Sequence, residues 1–181
     1  MTSAARILLA SAAALTLAAC ETATPPPPPE PPESAGGPPS AAIFRPGDFS
    51  WSAIPGKGAI TGHLSFRNGP TAYSCAGAGV ILTPETLWTR RRMTILYNSP
   101  ERSALPADEV RARTPQAPTG DYSAFVRRTT CDSANRFAFQ GLANGAWFVI
   151  TVAKPVGGGG PDMAIMRRVE IRGGKAITVE L

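Results

Sequence analysis

The sequence predicts an all-β fold: an antiparallel Greek-key β-sandwich of about seven strands, preceded by a signal peptide and a disordered proline-rich tether. Two observations support this prediction. Apolar and polar residues alternate over several short segments, and clusters of Gly, Asn and Asp separate those segments. Residues 131–153 show both features most clearly, as a turn, an alternating strand, a second turn and a longer apolar strand, and they are predicted to form a hairpin.

The chain divides into three parts. Residues 1–19 are predicted to be a signal peptide, residues 20–43 a linker, and residues 44–181 the β-sandwich domain. Many of the 19 prolines fall between Pro25 and Pro46, so the part of the chain that is able to fold is shorter than its 181 residues. The formal net charge of +5 is too small to predict nucleic-acid binding, and we expect no nucleic-acid partner.

Residues 1–20 have the pattern of a bacterial export signal. A single cation, Arg6, precedes an unbroken small and apolar run at residues 7–19, which is too short to span a bilayer stably. The sequence Leu-Ala-Ala-Cys at residues 17–20 resembles the lipobox of bacterial lipoproteins. This resemblance implies cleavage before Cys20 and attachment of fatty acyl chains, palmitate among them, to its sulfur and amine. The alternative is an ordinary signal peptide in which Cys20 is incidental.

Acyl chains on Cys20 would make the membrane a partner, because each buried methylene contributes about 0.8 kcal/mol of membrane affinity. Glu21 stands where an inner-membrane retention signal would usually have Asp. We therefore expect the outer membrane, with the domain facing the periplasm. The prolines that follow have the composition of an extended spacer, in which about twenty residues reach up to roughly 60 Å. A ligand for a proline-recognition module is the alternative interpretation.

The first predicted strand carries the only histidine of the chain. Residues 59–66 alternate with period two, which places Ile60, Leu64 and Phe66 on one face and His63 on the polar face. A His-based zinc triad needs further histidines, and a catalytic base needs a nucleophile and an orienting acid that the sequence does not supply. We therefore interpret His63 as a surface residue, and we expect no metal, no cofactor and no catalytic residue.

Two thiols, those of Cys75 and Cys131, remain in the exported chain if Cys20 is acylated. An even pair of cysteines in an oxidising compartment is most simply a disulfide. Closing this loop would stabilise the fold by about 4 kcal/mol in the chain-entropy model. Two free reactive thiols are the alternative, although neither a CxxC spacing nor a neighbouring histidine supports redox chemistry.

A run of three cations beside a large aromatic residue is the best local candidate for a ligand surface. This candidate surface comprises Trp88, Arg90, Arg91 and Arg92. Guanidinium groups pair in bidentate fashion with phosphate and carboxylate groups, which favours an anionic ligand. The alternative is a solvated strand edge or loop, where charges guard against edge-to-edge pairing.

Shorter patterns complete the domain. Residues 106–113 predict a short helix, with acids in its first turn and bases in its last. Residues 163–171 alternate as a strand in which Arg167 is the exception on the inward face. Gly173 and Gly174 predict a two-residue hairpin turn before the last strand, and residues 157–160 predict a mobile loop.

The most specific motif of the chain is Asp132-x-x-Asn135-x-Phe137-x-Phe139-x-x-Leu142-x-x-Gly145-x-Trp147-x-Val149. It resembles the signature of the carboxypeptidase regulatory-like, or prealbumin-like (transthyretin-like), β-sandwich family. Asn135 stands where glycine is commoner, and it is the residue of the turn at 132–135 that is best suited to a left-handed conformation. Trp147 stands where tyrosine is commoner. The resemblance covers roughly residues 58–181 and implies a fold more firmly than a function, because such modules usually carry no catalytic residues of their own.

We therefore predict a lipid-anchored, non-catalytic binding or assembly module of the bacterial envelope. The expected partner is an envelope protein or an anionic envelope polymer, bound at an exposed sheet edge or at the candidate surface around Trp88. An anchoring lipoprotein of a secretion apparatus is an alternative by fold analogy. A hydrolase of the prealbumin-like fold is a second alternative. By resemblance that enzyme depends on several histidines and a C-terminal Tyr-Arg-Gly-Ser, whereas this sequence has one histidine and ends in Ile-Thr-Val-Glu-Leu.

Overall fold

The computed structural model describes residues 43–181; the predicted signal peptide, Cys20 and nearly all of the predicted linker lie outside the described residues. The described part contains ten strands and two α-helices. The strands are β1 (Gly58–His63), β2 (Arg67–Asn68), β3 (Thr71–Ser74), β4 (Gly79–Pro84), β5 (Arg102–Pro106), β6 (Arg127–Thr130), β7 (Arg136–Leu142), β8 (Gly145–Pro155), β9 (Met163–Ile171) and β10 (Ala176–Glu180). The helices are α1 (Leu87–Tyr97) and α2 (Ala107–Ala112).

These strands form two sheets around a shared core, so the all-β sandwich predicted from the sequence is confirmed. The large sheet contains five strands in the order β5-β9-β8-β4-β6 and a ribbon, β2–β3, that pairs with the C-terminal end of β8. The small sheet has the order β10-β1-β7. The ten strands exceed the predicted count of about seven because β2 and β3 are very short and β5 lies in a segment without a strand pattern. In addition, β1 and β10 pair in parallel rather than antiparallel.

The central strand β8 is buried on both faces, as its sequence predicts. Trp147, Val149 and Ala153 point into the core between the sheets, where the buried apolar residues of both sheets meet. Phe148 and Ile150 point to the outer face of the large sheet, where α1 and α2 cover them. Because successive side chains of a strand point to opposite faces, an apolar run here serves two cores at once.

Helix α1 corrects the prediction that residues 88–93 form a strand edge or a loop. Thr86 caps the helix: its Oγ1 accepts a hydrogen bond from the Thr89 amide at 3.1 Å, and Thr89 Oγ1 accepts one from the Thr86 amide at 2.7 Å. This is a capping box, which satisfies two backbone donors that a helix start leaves free. The helix ends at Asn98 in the left-handed conformation, with φ of 55°. The predicted helix near residue 107 is confirmed as α2.

Two predicted hairpins are wrong, because in each case the chain changes sheets. Strand β7 pairs with β1 in the small sheet, whereas β8 belongs to the large sheet. Likewise, β9 lies in the large sheet and β10 pairs with β1, although Gly173 and Gly174 do form a turn with φ of 62° and 65°. A corner between sheets and a hairpin use the same turn residues and the same alternation, so the local sequence does not distinguish them.

The disulfide predicted between Cys75 and Cys131 is present, with Cα atoms 5.7 Å apart and both residues buried. It joins the turn after β3 to the turn after β6. Asn135 strengthens the same place: it has the predicted left-handed conformation, with φ of 61°. Its Oδ1 accepts hydrogen bonds from Ser74 Oγ at 2.7 Å and from the Cys75 amide at 3.1 Å. This end of the sandwich is therefore fixed covalently and by hydrogen bonds.

Candidate functional site

His63 lies at the end of β1, near the surface. Its Nδ1 is 3.1 Å from Glu180 Oε1, and its side chain is 44% exposed. Among residues 43–181, no group of three or more His, Cys, Asp or Glu side chains could hold a metal ion. Within that same range, none of the helices has the length and apolar character needed to cross a membrane.

Trp88 is a core residue and cannot be part of a ligand surface. Only 1% of it is exposed, and its ring lies among those of Phe44, Phe49 and Tyr122, with centroids 5.3, 6.2 and 5.1 Å away. These rings come from the segment that enters the domain, from α1 and from the loop before β6. The aromatic cluster therefore fastens the start of the domain to α1.

Arg92 also has a structural role. Its guanidinium lies 5.7 Å from the ring centroids of both Trp88 and Tyr122, a distance at which cation–π attraction operates. Its Nη1 donates a hydrogen bond to the Pro118 carbonyl at 2.8 Å. Arg92 thus holds the loop before β6 against α1.

Arg90 belongs to an ion-pair network on the outer face of the large sheet. It donates to Glu85 Oε1 at 2.6 Å and to Glu101 Oε1 at 2.8 Å, while Arg168 binds the other oxygen of Glu85 at 2.6 Å. Burial raises the pKa of Glu85, but the hydrogen bonds from Arg168 and Arg90 outweigh it and leave the pKa below its usual value. The charge of Arg90 is therefore already balanced by carboxylates.

Arg91 is the member of the predicted surface that is exposed and has no carboxylate partner among the described residues. It lies on the outer side of α1, beside Leu87, which is 68% exposed. The structure thus separates the four predicted residues into a buried ring, two arginines with structural partners and one exposed arginine. It does not bring them together as a single ligand surface.

A different site appears on the open side of the sandwich, where β5 and β9 of the large sheet pass the end of β10. Here lies a groove of about 400 Å³, which we call the β5–β10 groove. Its apolar lining consists of Phe66, Ala104, Ile165, Met166 and Leu181. Its polar lining consists of Arg102, Ser103, Arg167 and Glu180.

The β5–β10 groove exists because the small sheet is narrower than the large one. Strand β10, at the end of the small sheet, lies over β9, where Arg167 Nη1 donates a hydrogen bond to the Glu180 carbonyl at 3.1 Å. Strand β5 is the next strand of the large sheet, and none of its residues is buried. Helices α1 and α2 cover the other face of the large sheet, so the uncovered face is the one that points towards the small sheet.

Two arginines face each other in this groove. Arg102 and Arg167 are directly opposite in the β5–β9 register, and directly opposed side chains lie on the same face of a sheet. Like charges in this position are destabilising. The Arg102 guanidinium makes no hydrogen bond or ion pair with any residue that the structure describes, and Arg167 bonds to a backbone carbonyl. The Glu180 carboxylate lines the same groove and attracts Arg167 at longer range, but no carboxylate of the described residues makes an ion pair with either guanidinium. Two guanidinium groups without an ion-pair partner above an apolar floor form a site that is able to bind an acid-bearing ligand.

Comparisons with known proteins support the fold. No protein-family model matches the chain, and no curated protein matches it. Among solved structures, a candidate carbohydrate binding protein from Pseudomonas aeruginosa is 21% identical with a TM-score of 0.55, over 76% of this chain and 96% of that chain. A minor pilin from Streptococcus agalactiae is 16% identical over 71% of this chain and 44% of the pilin, but its TM-score of 0.34 is too low to carry an argument.

At this level of identity, the likeness to the Pseudomonas aeruginosa protein shows a β-sandwich and nothing more. The groove was not predicted, although the sequence contains one sign of it, the inward position of Arg167 in an otherwise apolar pattern. Arg102 gave no such sign, because β5 has no alternating pattern of its own. Only the pairing of β5 with β9 brings the two arginines together.

Proposed function

We propose that this protein is a lipid-anchored, non-catalytic binding module of the bacterial envelope, and that the β5–β10 groove binds its ligand. The ligand is an acid-bearing segment of an envelope protein or polymer. The observation that carries the proposal is the opposed pair Arg102 and Arg167, which lies over an apolar floor and makes no ion pair with a carboxylate of the described residues. The predicted exposed sheet edge thereby becomes a defined site, in place of the surface around Trp88.

The energetics of the groove favour an anionic ligand. Guanidinium groups form charge-assisted, often bidentate hydrogen bonds to carboxylates and phosphates. A bound anion would also relieve the repulsion between Arg102 and Arg167. The apolar floor offers contact area, and about 400 Å³ lies within the range of ligand sites in proteins.

Two likenesses support a binding function over a catalytic one. The Pseudomonas aeruginosa protein with the related fold is described as a candidate carbohydrate binding protein, which makes acidic glycans one class of ligand to test. The motif at residues 132–149 resembles carboxypeptidase regulatory-like domains, which usually assist other proteins without catalytic residues of their own. Both are reasons for the proposal, and the experiment below decides on the ligand.

The anchor is proposed from the lipobox-like sequence before Cys20 and the proline-rich segment that follows it. Acylated Cys20 would hold the protein in the outer membrane with its domain in the periplasm. We expect Cys20→Ser to move the full chain from the membrane fraction to the soluble fraction and to abolish incorporation of labelled palmitate. An exported Cys20→Ser variant that stayed membrane-bound would contradict the anchor.

Binding is tested by sedimentation of the full chain carrying Cys20→Ser with fragments of its own envelope, so that the acyl anchor does not contribute. We expect the double variant Arg102→Glu/Arg167→Glu to lose about tenfold or more in affinity, since each removed guanidinium contributes charge-assisted hydrogen bonds. The matched control is Arg91→Glu/Arg136→Glu, which changes the net charge equally at exposed positions outside the groove. An equal loss in both double variants would reduce the interaction to non-specific charge and refute the groove.

A further inference from the structure

Resting on the proposed function, we propose that the β5–β10 groove receives an extended polypeptide segment, which adds as a fourth strand to the small sheet beside β10. An acidic side chain of that segment lies over Arg102 and Arg167. Three features of the molecule support strand addition: the backbone of β10, the widths of the two sheets and the spacing of the groove residues.

The outer edge of β10 presents backbone groups that are not paired with another strand of the described residues. The Leu181 amide donates to the His63 carbonyl at 2.9 Å, and the Leu181 carbonyl accepts from the Ser65 amide at 2.9 Å, so both groups of Leu181 point towards the β1 side. Both backbone groups of one strand residue point to the same side, and the neighbouring residues alternate. The backbone amides and carbonyls of Thr178 and Glu180 therefore point away from β1. They face an edge that no strand within residues 43–181 occupies.

A side chain already binds this edge. The outward carbonyl of Glu180 accepts a hydrogen bond from Arg167 Nη1 at 3.1 Å. A free strand edge is a ready template for pairing with another chain, and folded proteins usually block it with charged side chains, a bulge, a proline or a covering loop. The edge of β10 contains no proline, and the structure leaves the groove beside it open.

The groove is placed where a fourth strand belongs. Neighbouring strands are about 4.8 Å apart and facing sheets are about 10 Å apart. A strand next to β10 would accordingly lie over β5, as β10 lies over β9. Its inward side chains would pack on the half-buried Ala104 and next to the buried Ile165, which are opposed in the floor of the groove.

The register of the groove indicates which residues the segment carries. The arginine pair Arg102/Arg167 and the apolar pair Ala104/Ile165 are two residues apart along the same face. Side chains two residues apart also share a face in an added strand. The expected pattern is therefore Asp or Glu, any residue, then a small or branched apolar residue. A second copy of this chain is a poorer occupant, because joining two β10 edges would bring two positive grooves together.

Thr178 allows a specific test of strand addition. Thr178→Pro removes the outward amide without removing a hydrogen bond to β1, whereas Thr178→Val keeps that amide. Both variants lose the exposed contact between the Thr178 and Thr61 hydroxyls, which are 3.5 Å apart. The two variants therefore differ in the edge donor and in little else, and circular dichroism checks that each is folded.

The experiment places an aromatic photocrosslinking residue at Phe66, which lines the groove, in the full, membrane-anchored chain in the cells that produce it. We expect a crosslinked product whose added mass is a polypeptide, removed by protease. Thr178→Pro and, independently, Arg102→Glu lower its yield about tenfold, the loss that a pairing contribution of one to two hydrogen bonds predicts, while Thr178→Val preserves it.

The outcomes separate this inference from the proposed function. An adduct released by a glycan-degrading enzyme, or one that depends on Arg102 but not on the Thr178 amide, overturns strand addition and leaves the groove as a binding site. An adduct with a second copy of this chain overturns the inference that the added strand comes from a different protein. An adduct unaffected by Arg102→Glu, or no adduct at all, overturns both proposals.

Discussion

Two consecutive arginines of β9 point to opposite faces of the same sheet and meet opposite surroundings. Arg168 faces outward, where it binds Glu85 at 2.6 Å and approaches Glu101 at 3.9 Å. Arg167 faces inward, where the residue opposite is Arg102 and the hydrogen-bond acceptor is a backbone carbonyl. The strand partner β5 supplies residues to both sides, because Glu101 lies just before it and Arg102 begins it.

The difference teaches that charge alone does not mark a binding site. On the outer face, guanidinium and carboxylate groups balance each other and connect β4, α1 and β9, so these arginines stabilise the fold. On the inner face, two guanidinium groups oppose each other and make no ion pair with a carboxylate of the described residues, and the nearest acidic side chain of the groove, Glu180, is one against two. The Arg90–Arg92 run attracts attention in the sequence, yet two of its three arginines are bound within the fold.

The ion-pair network around Glu85, on the outer face of the large sheet, gives the largest expected effect on stability. Glu85→Gln should lower the free energy of unfolding by about 2 kcal/mol, because it leaves Arg90 and Arg168 without their shared carboxylate. The Glu85 side chain is 14% exposed, but Arg90 is 40% exposed and can turn to water, so the loss is less than for a fully buried pair. Urea unfolding measures it, and ligand binding in the groove should stay unchanged.

The same variant tests the pH dependence of stability. The pKa of Glu85 is below its usual value in the fold: burial opposes this shift, and the hydrogen bonds from Arg168 and Arg90 outweigh burial. A lowered pKa means that the unfolded chain binds the proton more tightly. The contribution of Glu85 is therefore complete above its unfolded pKa of about 4.3 and is lost as the pH falls through the folded value.

We thus expect the stability difference between the wild-type protein and Glu85→Gln to shrink as the pH is lowered from about 6 towards 3. Other carboxyl groups titrate in both proteins, so the difference isolates Glu85. A difference that did not change with pH would mean that the lost stability comes from packing and not from the ion pairs.

Much of the fold could be predicted from the sequence because its cause is local. Alternation gave the strands around Phe137 and Trp147, and the turn preference of Asn135 gave the left-handed residue between β6 and β7. The disulfide followed from the even number of exported cysteines. Strand partners, however, are not local, so the two corners between sheets were predicted as hairpins.

The site was less predictable than the fold. Helix α1 was missed because its capping box uses Thr89 in place of the usual Glu or Gln and its apolar residues have no clear helical stripe. The groove depends on the small sheet being narrower than the large one and on the register that sets Arg102 opposite Arg167. Neither property can be predicted from a single segment of the sequence. Only Arg167 gave a local sign, because it is the one charged residue on the otherwise apolar inward face of β9.

The pair Arg102 and Arg167 gives the smallest expected effect on stability. The expected effect is a gain, whereas Glu85→Gln is expected to cause a loss. Arg102→Gln keeps most of the side-chain stem but removes one of two opposed positive charges. We expect it to raise the free energy of unfolding by about 0.5 kcal/mol while it weakens ligand binding. The control Arg91→Gln, at an exposed position on α1, should change neither quantity. Urea unfolding at low ionic strength measures the gain, which should shrink as salt screens the repulsion. If Arg102→Gln destabilised the protein instead, Arg102 would be a structural residue like Arg168, and the contrast between the two faces would fail.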